Sequence, residues 1–259
     1  MTTLTIAAVS SAITSDVRVN GAHIRDCMTK AADLGARLVH FPEGALSGYV
    51  KAQIQHWDQV DWSILQAELD AIAANARKLG IWVVVGANHQ RIAPLWPHNS
   101  LYVISENGII IGRYDKRLIS HAESISWYTP GSDPIVFEVD GFRFGCALCI
   151  EIHFPELFME YGRLGVDGVL FSAYAEDPIF AVTAQAHAAT NNIWMSVSTP
   201  AACRPRLPCS LIGPDGYVFG QSTLEQDLVY GTLDRSKYEI ALTKARPWRA
   251  SVRENKKGP

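Results

Sequence analysis

The segment FGCALCIEIHFPE, Phe144 to Glu156, decides how the rest of the chain is read. Its first half belongs to an alternating run in which Phe142, Phe144, Cys146 and Leu148 fall on one face of a strand and Arg143, Gly145, Ala147 and Cys149 on the other. Its second half is polar, with Glu151, His153 and Glu156, and Pro155 opens the helical pattern PELFMEYGRLG. A buried strand running into a helix is a unit of an α/β sheet, and polar residues at the carboxyl end of such a strand mark where sites are built. Cys146 and Cys149 point to opposite faces, and the Ala-Leu between them is not turn chemistry, which argues against a Cys-x-x-Cys knuckle or redox pair. Cys146 reads as a small buried hydrophobe. Cys149, where the strand stops, is within reach of a substrate.

Upstream, β-rich runs alternate with helical patterns: LTIAAVS, GAHIRDCMTKAADLGA, RLVHF, WSILQAELDAIAANARKLG and IWVVVGANH. Strand and helix in turn imply βαβ units and a mostly parallel sheet. From Asn99 to Cys149 the strands SLYVIS, GIIIGRY and PIVFEVDGFRFGCALC follow closely, joined by Glu106-Asn107-Gly108 and Asp140-Gly141, and antiparallel hairpins are expected there. Downstream come VDGVLFSA, AVTAQAHAATNN, IWMSVSTP, the hairpin CSLIGPDGYVFG and a last strand LVYGTLD. With no linker or 20–50-residue repeat, one α/β domain over residues 1–259 is expected, with mixed sheets and helices outside. The tail over residues 236–259 carries Pro and charge and is expected to run along the surface or over a partner subunit.

The chain of 259 residues is 48% apolar, enough for a sizeable core. Its net charge is −3 and its longest basic run is the pair Lys256-Lys257, so neither nucleic acid nor a membrane surface is an expected partner. The start MTTLTIAAVSSAITSD has no basic region ahead of its apolar segment, and no apolar run approaches a membrane span, so a cytoplasmic protein is expected. The odd count of five cysteines leaves at least one free thiol, which fits a reducing compartment. Cys146, Cys149, Cys203 and Cys209 supply the thiols for an alternative reading as a zinc or thiol module.

A nucleophilic cysteine needs a base, and a positive group where the substrate oxygen gains charge. Two further strand ends carry such groups. In ARLVHFPEGALSGY, Glu43 follows a buried strand stopped by Pro42, and in GIIIGRYDKRL, Asp115, Lys116 and Arg117 follow another. Each also reads as a solvated surface residue, and spacing alone does not choose. Asp115 and Arg117 are expected to make structural ion pairs.

At these places the sequence resembles the nitrilase (carbon-nitrogen hydrolase) superfamily, in the blocks FPEGALSGY, GRYDKRLI and CIEIHFPEL, from about Thr5 to about Asp234. GVDGVLFSAY and SLIGPDGYVFG are similar to further segments of that family. The resemblance implies a four-layer α-β-β-α sandwich with mixed sheets, assembly into homodimers or larger homo-oligomers, and no metal or organic cofactor. It implies Glu43 as general base, Lys116 as the family's lysine and Cys149 as nucleophile, with Lys116 and the backbone N–H of Ile150 facing the developing oxyanion. Glu123, in ESISWYTPG, matches the family's second glutamate at a spacing about one residue long. Ile150 in place of an aromatic after Cys149 leans toward the amidase and carbamoylase branches, with a small-molecule amide or N-carbamoyl substrate. Nitrile hydrolysis is the alternative on the same residues.

Tyr49, Trp127 and Tyr174 lie in or beside these segments and read as pocket walls or as plain core. His153 suggests a cysteine–histidine pair and reads equally as a polar turn residue. Arg204 and Arg206, near a strand end, read as ordinary exposed arginines or as candidates for a substrate carboxylate. His187 and Thr190 stand where the family usually has Arg and Glu, a departure expected to touch packing or subunit contacts more than the triad.

Overall fold

Local signals set the element boundaries. Helix α1 (Val17–Asp33) starts where the Asp16 side chain accepts from the N–H groups of Arg18 and Val19, and α2 (Trp62–Leu79) starts on Asp61 in the same way. Helix α2 ends on Gly80 in the left-handed conformation, α4 (Pro155–Arg163) opens on its proline, and α5 (Ile179–Asn191) ends on a left-handed Asn192. This computed structural model describes residues 1–255; the Lys256-Lys257 pair and the last two residues lie outside the described residues.

The strands form two six-stranded sheets. The first contains β1 (Thr3–Val9), β2 (Leu38–His40), β3 (Trp82–His89), β4 (His98–Ile104), β5 (Ile110–Asp115) and β12 (Leu228–Asp234), in the order β12-β1-β2-β3-β4-β5. The second contains β6 (Phe137–Val139), β7 (Phe142–Leu148), β8 (Gly168–Ser172), β9 (Trp194–Ser198), β10 (Ser210–Ile212) and β11 (Val218–Gln221), in the order β11-β10-β9-β8-β7-β6. In the first sheet β1, β2 and β3 are parallel, and β12, β4 and β5 join antiparallel. In the second, β7, β8 and β9 are parallel, and β6, β10 and β11 join antiparallel. The two sheets therefore repeat one strand order over a period far longer than the sequence pattern reveals. The closely spaced strands after Asn99 are hairpins as expected, but β4–β5 belongs to one sheet and β6–β7 to the other.

Alternation then separates three cores. Ala7, Val9, Val39, Val83 and Val85 pack under α1 and α2, whereas Ile6, Ala8, Leu38 and Val84 face the second sheet. Phe142, Phe144, Cys146 and Leu148 meet them between the sheets, and Ala147 and Cys149 belong to the third core, under α4 and α5. The layers are thus α-β-β-α. The described part of the tail is helical, ending in α6 (Arg246–Asn255), and lies on its own chain: Arg249 and Arg253 donate to carbonyls of Ala189 and Thr190 at the end of α5, where cations complement the helix dipole.

A small polar cluster interrupts the inter-sheet core. His40 is fully buried, with Nδ1 3.0 Å from Ser196 Oγ and Nε2 2.7 Å from Ser172 Oγ. Because the Ser172 hydroxyl donates to the Phe41 carbonyl, Nε2 carries the proton and Nδ1 accepts from Ser196. Burial pushes this imidazole down from 6.5 to about 3. Between those values the unfolded chain binds a proton that the folded chain does not, so stability falls as pH drops, by up to about 1.4 kcal/mol per pH unit from this group. Urea midpoints measured from pH 7 to pH 4 are expected to fall more steeply for the wild type than for His40→Asn.

Candidate active site

Three of the four sequence-predicted catalytic residues stand at or just beyond a strand end. Glu43 lies three residues past β2, Lys116 directly follows β5, and Cys149 directly follows β7. Glu123 sits on the one-turn helix α3 (His121–Ser124), capped by Ser120. Gly86 on β3 makes the Glu43 turn possible, since a Cβ there would collide with the Pro42 carbonyl, the Gly44 nitrogen and the Glu43 Cα. Gly44 itself takes φ +68°, a left-handed conformation open to glycine without strain.

Glu43, Lys116 and Glu123 are 0%, 1% and 2% exposed. Lys116 Nζ donates to Glu43 Oε1 at 3.2 Å and to Glu123 Oε1 and Oε2 at 2.9 and 3.0 Å. Glu43 Oε1 also accepts from Asn99 Nδ2 at 2.6 Å, and its Oε2 accepts from the Tyr174 N–H at 2.8 Å. Glu123 accepts in addition from the Tyr49 hydroxyl at 3.0 Å and the Ser120 N–H at 2.8 Å. Burial alone would lower the Lys116 pKa, but Glu43, Cys149 and Glu123 more than offset it and hold the ammonium well above its usual range. Burial likewise opposes ionisation of Glu123, and the Lys116 charge overrides it, holding that carboxyl below its usual range. The lysine is fixed as a cation.

Cys149 is 9% exposed and takes φ +50°, an uncommon conformation for a non-glycine residue. Its Sγ lies 4.0 Å from the Tyr174 carbonyl. Burial pushes the thiol up, Glu43 and Glu123 push it further, and Lys116 pulls it back only in part. The resting group is therefore a protonated thiol within the field of Glu43, and chemistry at this sulfur would call for a base.

Tyr49 and Tyr174 stack with ring centroids 4.9 Å apart beside this cluster, and the Gln53 amide donates to the Tyr174 hydroxyl. Trp127 stands further out, edge-on to Trp57, and Ile150 is the second residue of the 3-10 turn that begins at Cys149. Asp115 pairs with Arg113, and Arg117 with Glu160, as the ion-pair expectation required. His153 is exposed and packs edge-on against Phe180.

Arg204 corrects the sequence reading. Its guanidinium donates to Ser10 Oγ, the Ser10 and Leu224 carbonyls and Asp227 Oδ1, which leaves it committed away from a substrate carboxylate. Arg206 is exposed. His187 does more than pack: it stacks on Phe158 at 3.9 Å and bonds through Nε2 to the Ile152 carbonyl, bracing the turn that begins at Cys149. Thr190 bonds back to its own helix. Asn99 was missed because an asparagine at the start of a strand gives no sign that its amide meets a carboxylate 56 residues away. Among the described residues, no group of three or more His, Cys, Asp or Glu side chains is placed to hold a metal ion. No helix among them is long and apolar enough to cross a membrane.

Residues 5–241 match the carbon-nitrogen hydrolase family, and the chain belongs to that family. It is 23% identical to a chloroplastic omega-amidase of Arabidopsis thaliana, across 92% of this chain and 70% of that protein. It is 27% identical to a 2-oxoglutaramate amidase of Bacillus subtilis (strain 168), where the match spans 53% of this chain and about half, 52%, of the relative. A solved variant of the amidase from Nesterenkonia sp. AN1, with covalent addition of the acetamide moiety of fluoroacetamide at its active site cysteine, shares the fold. The TM-score is 0.81 at 24% identity, over 97% of this chain and 96% of that one.

Replacing Lys116 by methionine removes the cation that holds Glu123 ionised. Breaking such a buried pair costs about 3–5 kcal/mol. The folded Glu123 pKa then rises above its unfolded value, so stability is lost as pH rises. Urea denaturation of Lys116→Met is expected to show a deficit that is larger at pH 8 than at pH 5.

Proposed function

We propose that this protein hydrolyses a non-peptide carbon–nitrogen bond of a small amide or N-carbamoyl compound through a thioester on Cys149. The observation that carries the reading is the convergence of a protonated thiol, a base and a fixed cation at the ends of β2, β5 and β7. Glu43 takes the Cys149 proton and the thiolate attacks the carbonyl carbon. Lys116 Nζ and the Ile150 N–H stabilise the oxyanion. As the tetrahedral adduct collapses, the C–N bond breaks and Glu43 returns its proton to the leaving nitrogen, releasing ammonia or an amine. Water then gives a proton to Glu43 and attacks the thioester. The carboxylic acid leaves, and Glu43 reprotonates the thiolate.

Glu123 keeps Lys116 from closing fully on Glu43, because three of its oxygen contacts are shared between the two carboxylates. With the thiol protonated, two carboxylates and one ammonium give the cluster a net charge near −1. Tyr49 and Tyr174 add uncharged walls, and Arg204 is committed elsewhere. This favours an uncharged amide over one that bears a carboxylate. The Nesterenkonia amidase, solved in complex with butyramide, is in keeping with that preference. The same reading places the protein in the cytoplasm and pairs copies through helical faces such as exposed Ile179 and Val182 of α5.

Ammonia release from a panel of small amides, N-carbamoyl amino acids and nitriles tests the proposal. Wild type is expected to act on the amides or carbamoyl compounds, and Cys149→Ala to lose at least about 10³-fold in kcat. Equal release by both proteins overturns the thioester route, and release from nitriles alone selects the alternative branch. Within the panel, kcat/KM for butyramide is expected to exceed that for succinamate by at least about tenfold, the effect of one uncompensated charge.

A further inference from the structure

Glu151 is fully buried, yet the reaction just described has no step for it. Its Oε1 accepts from the N–H groups of Arg117 at 2.7 Å and Leu118 at 3.0 Å, immediately after Lys116. Its Oε2 accepts from the Leu148 N–H at 2.7 Å, immediately before Cys149. The Tyr114 hydroxyl, two residues before Lys116, lies 2.9 and 2.8 Å from the two oxygens. The three backbone partners can only donate, so both loops must face acceptor oxygens of this side chain. Burial pushes this carboxyl above its usual range, and the N–H groups of Leu118 and Leu148 pull it back only in part.

Lys116 and Cys149 lie on different sheets, and no backbone ladder joins β5 to β7. Glu151 supplies a link of fixed length between the two loops. It also closes a ring around the left-handed Cys149, whose conformation would otherwise relax at a gain of about 1–3 kcal/mol. Resting on the proposed Glu43–Lys116–Cys149 chemistry, we infer that Glu151 is a positioning residue: its carboxylate sets the distance between the Lys116 ammonium and the Cys149 thiol by holding both loops at once. Glutamine cannot do this. Whichever way its amide turns, its NH2 faces either the Leu148 N–H or the pair from Arg117 and Leu118, and one loop is released.

The test is the rate of Cys149 alkylation by iodoacetamide, followed by intact mass on the full chain from pH 6 to pH 10, with Cys149→Ala assigning the modified site. Lys116→Gln, Glu151→Gln and their double variant are compared with wild type. Lys116→Gln is expected to slow alkylation about tenfold and Glu151→Gln about three- to tenfold, with the double variant losing clearly less than the product of the two. Such non-additivity is the mark of a residue that acts through the lysine. Tyr114→Phe, which removes one donor and keeps the carboxylate, is expected to give a smaller slowing with the same non-additivity and serves if Glu151→Gln does not fold. Multiplicative losses, or a wild-type rate in folded Glu151→Gln or Tyr114→Phe, overturn the positioning role and leave the triad standing. A wild-type rate in Lys116→Gln overturns the triad reading, and the positioning role with it.

Discussion

The buried ammonium of Lys116 is the group on which the rest of the site depends. An isolated charge at this depth costs several kcal/mol to desolvate, and it is tolerated only because Glu43 and Glu123 both reach it. Two carboxylates exceed one ammonium, and the excess is spread over neutral donors: the Asn99 amide, the Tyr174 N–H, the Tyr49 hydroxyl and the Ser120 N–H. These come from β4, the end of β8, the loop after β2 and the cap of α3. The arrangement that suits catalysis is therefore also a condition of folding, since each element must arrive before the charges are satisfied.

The protonated thiol follows from the same balance. Lys116 is close enough to act on Cys149, but its charge is already shared between two carboxylates, so it lowers the thiol pKa less than burial and the glutamates raise it. In the proposed reaction the tasks of deprotonating sulfur and stabilising an oxyanion are therefore separate, with Glu43 left for the first and Lys116 for the second.

Much of this was legible in the sequence, because period-2 runs, helix caps and strand-end punctuation are local. β1 to β3, α1, α2 and the strand–turn–helix around Cys149 need only a few neighbours to be recognised, whereas Glu43 and Lys116, polar residues closing apolar runs, were singled out from solvated surface residues only by the family resemblance. What was not legible depends on distant partners. The hairpins β4–β5 and β6–β7 look alike as sequence, and only packing shows that the chain changes sheets between them. Arg204 at a strand end looked free for a ligand because its partner Ser10 is 194 residues away. Asn99 and Glu151 were overlooked for the same reason: nothing in the adjacent residues shows a buried carboxylate or a second loop waiting for them.

The repeated strand order bears on Arg204 in another way. Matching the two sheets strand for strand puts the residue after β1 where Cys149 follows β7, and the residue after β11 where Lys116 follows β5. Those positions hold Ser10 and Ser222, and the counterpart of Glu43, three residues past β8, is Ala175. The scaffold thus has a twin of the candidate site's end that lacks the Glu43, Lys116 and Cys149 equivalents, and there the Arg204 guanidinium bonds to Ser10 and Asp227. Among the described residues, a near-symmetric body carries the proposed residue set at one end only, and at the matching end an arginine is held by Ser10 and Asp227.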